Sequence, residues 1–248
     1  MLHLLRADFY RLFRSKTAKI FFALGWIVPV FIVVMALMGG SWPGPEEFYN
    51  FGLLLVYPLA AAGFCPLFVG GMEHGGARAR VAAGYPHGKV LLSAAVVGWL
   101  FLLALYTLAY IALAPFFDPP QGGKFVLILW RWLLGAALIA SQCVLCPAAA
   151  LCARKPAAAL VTCFALVALE AFAAWAFGLL LGGCIGFGIG VPVLPLLFQA
   201  LLLFVPWGTY QAVVSGSITF PLFLFALILF SFAAYLIGRA VWRCRGVR

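Results

Sequence analysis

Apolar residues fall in long blocks separated by short polar breaks. Six blocks stand out, at about Ile20–Met38, Phe51–Met72, Val90–Phe116, Phe125–Leu151, Ala157–Leu181 and Phe220–Trp242. Each is as long as the roughly 20 residues a helix needs to cross a bilayer's hydrocarbon layer. The breaks have turn chemistry. Gly39-Gly40-Ser41-Trp42-Pro43-Gly44-Pro45 closes the first block, with Glu46 and Glu47 just beyond. Asp118-Pro119-Pro120-Gln121-Gly122-Gly123 follows the third block, and Arg154-Lys155-Pro156 follows the fourth. Pro58 and Pro66 are expected to bend the second span. Residues 182–219 break the rhythm. There Leu194–Val205 is apolar but short, and Pro192, Pro195 and Pro206 break the region, so an external re-entrant or interfacial segment is expected rather than a crossing.

Residues 1–19 have a different period. Leu2, Leu5, Phe9, Leu12 and Phe13 keep to one helical face, with Arg6, Arg11 and Arg14 turned away. That pattern predicts an amphipathic helix lying in the membrane interface, next to the first span.

Composition decides the solvent. Hydrophobic residues make up 67% of the chain and charged residues 9%, against about 45–50% and about 25% in soluble domains. No soluble core could enclose so much apolar surface. The expected fold is an all-α integral membrane protein, with residues 1–248 as one domain. A cleaved leader is not expected, because a basic stretch precedes a first block long enough to remain as a span. The net charge of +10 raises nucleic acid as a partner. The basic residues form no long run and flank apolar blocks, which instead fits anchoring against anionic lipid.

Charge also orients the chain. With six spans, the N-terminal segment, the 73–89 loop, the 154–155 turn and the C-terminus share one side. That side then holds every Lys and Arg except Lys124 and Arg131. Such a bias places both termini in the cytoplasm. A seventh span at 194–205 would export Arg239, Arg243, Arg245 and Arg248.

The longest polar interruption runs from Glu73 to Lys89 and carries three of the sixteen basic residues and two of the three histidines. A membrane chain keeps such loops short unless something outside the bilayer grips them, so a cytoplasmic partner is expected here.

Catalysis finds little support. Ser215-Gly216-Ser217 would need a histidine base inside the membrane, and His3, His74 and His87 all fall on the cytoplasmic side. Glu46-Glu47 has no intramembrane histidine to complete a metal site. No Gly-rich Lys-Ser/Thr phosphate loop occurs, so ATP hydrolysis would have to come from a partner. Cys143 and Cys146 have CxxC spacing but apolar neighbours and no second Cys/His pair, which argues against a metal. Glu170 lies well inside a span, where a charge is unfavourable by roughly 2.5–3.5 kcal/mol on insertion scales. It either lines a substrate or proton path or hydrogen-bonds a neighbouring helix through Gln142 or Ser141.

The loop also carries a resemblance. Gly75-Gly76-Ala77-Arg78, Val81, Gly84-Tyr85-Pro86-His87 and Lys89-Val90-Leu91-Leu92-Ser93 resemble the first cytoplasmic loop of ABC type-2 transporter permeases. That family's pattern is an acidic residue, Gly-Thr-x-Arg, a hydrophobic residue and Gly-x-x-Arg. Gly76 here replaces Thr, His87 stands where Arg is usual, and Glu73 lies close to the glycine. The opening helix, Phe204-Val205-Pro206-Trp207-Gly208 and the basic ending Gly238–Arg243 are similar to the family in order and composition. The resemblance implies an exporter subunit of the bacterial cytoplasmic membrane, paired with a second permease chain. It also implies that Glu73, Gly75, Gly76, Arg78, Arg80, Gly84, His87 and Lys89 contact a separate ATPase that holds ATP and Mg. Gln142 and Glu170 would be candidates for the substrate path. Two other readings stay open: the membrane coupling subunit of a vitamin-type importer, and a non-transporting scaffold or immunity factor.

Overall fold

The computed structural model describes residues 2–39, 56–73, 80–113, 124–153, 156–186, 205–206, 208 and 219–244. These residues form helices joined by turns, with no strand among them. Eight helices organise them: α1 (Leu2–Arg14), α2 (Lys16–Gly25), α3 (Ile27–Gly39), α4 (Tyr57–Glu73), α5 (His87–Leu113), α6 (Lys124–Cys152), α7 (Pro156–Gly186) and α8 (Phe220–Cys244). Among the described residues four stretches are long and apolar enough to cross a membrane: His87–Ala112, Trp132–Cys152, Ala157–Ala176 and Pro221–Cys244. The chain is therefore compatible with a multi-pass membrane protein.

Helix α6 is the centre of the bundle and packs against α4, α5, α7 and α8. Small residues make this possible. Ala136, Ser141, Cys143, Cys146, Ala148 and Ala150 are all buried and let neighbouring backbones approach. The closest approach is to α8, where a Cβ on Gly238 would lie 2.5 Å from the Cβ of Ala148. Aromatic contacts join α4 to α5: Phe64 stacks on Phe101 at 4.6 Å, and Tyr57 meets Tyr106 edge-on at 5.2 Å. Helices α7 and α8 expose Phe164, Leu169, Phe172 and Trp175, and Phe225, Ile228 and Phe232. Such outward faces suit hydrocarbon as solvent.

Three sequence expectations change. The first apolar block is two helices, divided at Trp26. Pro29 has no N–H to donate back to Gly25, so the helix restarts there with Pro29 in its first turn. Helix α1 ends at Arg14 because Ser15 caps α2, its hydroxyl accepting from the Ala18 N–H at 3.4 Å. Pro58 opens α4 rather than bending it, and Pro66 alone lies inside that helix. Most of the 182–219 segment lies outside the described residues.

The amphipathic face of α1 is also rotated. Leu4, Asp8 and Leu12 are buried, while Leu2 and Phe13, expected on the apolar face, are 81% and 76% exposed. A buried carboxylate with a strong partner set this orientation, and the apolar stripe yielded to it.

Candidate functional site at residues 80–93

Residues 80–82 are helical, and Gly84 closes that turn with φ at 88°. Two hydrogen bonds accompany it: Tyr85 N–H donates to the Arg80 carbonyl and Gly84 N–H to the Val81 carbonyl, both at 3.0 Å. This is a left-handed helix stop, which glycine adopts without a Cβ penalty. The Pro86 carbonyl then accepts from Lys89 N–H at 2.9 Å and Val90 N–H at 3.3 Å, opening α5. The stretch Ala82–Pro86 and Lys89 are exposed.

The flanks of this turn are tied down. Arg80 donates from both terminal nitrogens to Asp8, at 2.6 Å to Oδ1 and 3.0 Å to Oδ2. Ser93 Oγ donates to Asp8 Oδ2 at 2.7 Å. The Asp8 side chain is fully buried and that of Arg80 is 13% exposed. A carboxylate so enclosed is tolerated only with a cation and further donors, and the bidentate guanidinium plus hydroxyl supply both. Arg11 stands nearby, half-buried. Burial and then the positive charge of Arg80 lower its pKa, while Asp8 pulls the other way.

The other anchor is the last helix. The His87 ring meets Trp242 edge-on at 4.6 Å. A Cβ on Gly88 would collide with the Tyr235 hydroxyl, so the start of α5 and the end of α8 are in close contact. The end of α6 joins them there, the Cys152 thiol facing the Gly238 carbonyl at 3.8 Å. Thus α1, the 80–93 stretch and the ends of α6 and α8 meet at one end of the bundle.

Of the residues singled out from sequence, Arg80 lies against α1, His87 lies against α8, Gly84 forms the turn and Lys89 stays exposed. Arg80 is committed to an internal ion pair, which makes it a positioning residue for the turn. Glu73 is the last residue of α4. Gly75, Gly76 and Arg78 lie outside the described residues. Gln142 and Glu170 do meet: the Gln142 amide donates to Glu170 Oε2 at 2.6 Å, between α6 and α7. Ser141 instead donates to the Leu138 carbonyl of its own helix, and Gln142 Oε1 has no partner among the described residues. The CxxC cysteines stay separate. Cys146 offers its carbonyl to the Cys163 thiol at 3.3 Å, and no metal-holding group of three ligands occurs among the described residues.

Sequence reasoning missed Asp8, Ser93, Tyr235 and Trp242. Asp8 left a signal, as the lone acid before Glu46, spaced four residues from Leu4 and from Leu12. The arrangement offers an exposed turn on rigid mounts, suited to transmitting displacement. Neither protein-family models nor curated protein sequences gave any match to this chain.

Proposed function

We propose that the chain is the membrane-spanning subunit of an ABC-type exporter, and that the turn at residues 82–86 is gripped by a separate cytoplasmic ATPase. One observation carries this reading: the exposed turn is mounted on two elements at once, through Arg80–Asp8 to α1 and through His87–Trp242 to α8. A partner that pulls on the turn moves the start of α5, the N-terminal helix and the last helix together. ATP binding drives export only if the ATPase holds the turn differently in its open and closed states. Lys89, exposed beside the turn, offers a charge for that discrimination.

In this reading the chain crosses the bacterial cytoplasmic membrane six times. The α2–α3 pair and α4 make the two crossings additional to the four long apolar stretches, and both termini are cytoplasmic. A second permease chain completes the transporter, and ATP and Mg reside on the ATPase. The cargo is amphiphilic, peptide-like or drug-like. An apolar cleft of about 450 Å³ between the first helices and α4, α5 and α7, lined by Phe21, Ile27, Tyr57, Leu105 and Phe164, fits such a cargo's hydrocarbon part.

Affinity purification of the tagged chain in mild detergent tests the assignment. An ATP-binding subunit should be retained, and lost on Lys89→Glu combined with Arg78→Glu while the chain stays monodisperse. Absence of any ATPase under conditions that preserve a control transporter would turn the assignment to a non-transporting scaffold or immunity factor.

A further inference from the structure

Helix α1 has a second face. Its inner side, Leu4, Asp8 and Leu12, packs on α5, and its outer side presents Leu2, Arg6, Tyr10, Phe13 and Arg14. Arg6, Tyr10 and Arg14 follow one another at four-residue steps and so share a face. The Arg14 guanidinium stacks on the Tyr10 ring, 4.7 Å from its centroid. No acid shares this face, because the only one in the helix, Asp8, is turned inward and paired.

Depth places the face. Ser93, which touches α1 through Asp8, lies six residues into α5, roughly 9 Å from its start at 1.5 Å per residue. The helix of 27 residues is about 40 Å long, so it overhangs a hydrocarbon layer of about 30 Å. Helix α1 therefore lies near the boundary between headgroups and acyl chains. Water would be a poor solvent for Leu2 and Phe13 at 81% and 76% exposure. Hydrocarbon would be a poor one for Arg6 and Arg14. The headgroup layer accepts both.

We infer that the outer face of α1 binds anionic phospholipid headgroups, Arg6 and Arg14 each taking a phosphate while Leu2, Tyr10 and Phe13 enter the acyl boundary. The two arginines are eight residues apart, about 12 Å along the axis, enough for separate headgroups. Stacking on Tyr10 occupies the flat side of the Arg14 guanidinium and leaves its N–H edge for a phosphate. Through Asp8–Arg80 the bound helix steadies the 80–86 turn. The site stands whether or not an ATPase binds that turn.

The full chain in nanodiscs of phosphatidylcholine, with and without phosphatidylglycerol, tests this by deuterium exchange and by native mass spectrometry of retained lipid. Phosphatidylglycerol should be retained and should slow exchange in residues 2–14 and 80–86. Arg6→Gln with Arg14→Gln should weaken that retention roughly thirtyfold, about fivefold per arginine. Arg6→Lys with Arg14→Lys should keep most of it and serves as the folding control. Equal retention by wild type and the glutamine variant would overturn the site. Protection confined to residues 2–14 would overturn the link to the turn. Loss of a co-purified protein with lipid retention unchanged would assign the face to an acidic protein surface instead.

Discussion

Asp8 accepts two hydrogen bonds, of 2.6 and 3.0 Å, from Arg80, 72 residues away in the chain, in a site where the carboxylate is fully buried. Removing either partner strips the other of its bidentate counter-charge. Asp8→Ala and Arg80→Ala are each expected to destabilise the detergent-solubilised chain by roughly 3–5 kcal/mol. The double variant should be no less stable than the worse single one. Thermal unfolding of the three variants checks this, and additive losses would show that the pair is not coupled.

Gly84 tests the turn without touching its contacts. Its φ of 88° is unfavourable for any side chain with a Cβ, yet among the described residues no atom beyond its chain neighbours lies within 4 Å of where one would sit. Gly84→Ala should therefore be unfavourable by about 1–2 kcal/mol, through backbone conformation alone. Gly84→Asn should be milder. Protease nicking at residues 82–86 should rise in the order glycine, asparagine, alanine.

The crossing of α6 and α8 depends on the absence of a side chain at Gly238. A Cβ there would sit 2.5 Å from the Ala148 Cβ and 3.2 Å from its Cα, so the two helices must separate. Gly238→Val should lower stability by about 1–3 kcal/mol and disturb the Tyr235–Gly88 contact. Ala148→Gly should restore much of the loss in the milder Gly238→Ala variant, as read by thermal unfolding.

The Gln142–Glu170 pair joins α6 to α7 by one hydrogen bond of 2.6 Å. Hydrogen bonds between membrane helices contribute about 0.6–2 kcal/mol. Glu170→Gln keeps an acceptor for the Gln142 amide and is expected to stay within about 1 kcal/mol of wild type, whereas Glu170→Ala loses the full contribution. If the chain is the proposed exporter subunit, transport by a stable Glu170→Gln chain should persist where the residue serves packing. A folded but inactive Glu170→Gln chain would show that an ionisable group is needed.

Helix type and rough extent were legible because bilayer-length apolar blocks allow few alternatives. The ends of α6 and α8 fell within about two residues of those expected from hydropathy, since Gly, Pro and charge bound them in the sequence itself. The orientation of α1 was not legible. Its apolar stripe ranked Leu2, Leu5, Phe9, Leu12 and Phe13 together, whereas one buried acid turned Leu4 and Leu12 inward and left Leu2 and Phe13 outside. The partner that fixes this orientation, Arg80, is 72 residues away.

The candidate site divides the same way. Gly84 as a turn and Lys89 as an exposed charge follow from local chemistry, which one residue and its neighbours determine. That Arg80 faces inward and His87 rests on Trp242 depends on which helices come together. By itself the sequence determined a helical chain with apolar blocks long enough to cross a bilayer, because hydropathy and helix length are additive along the chain. Tertiary structure alone decided which polar groups pair. A buried charge takes the partner that packing brings within reach, and no local pattern encodes that distance.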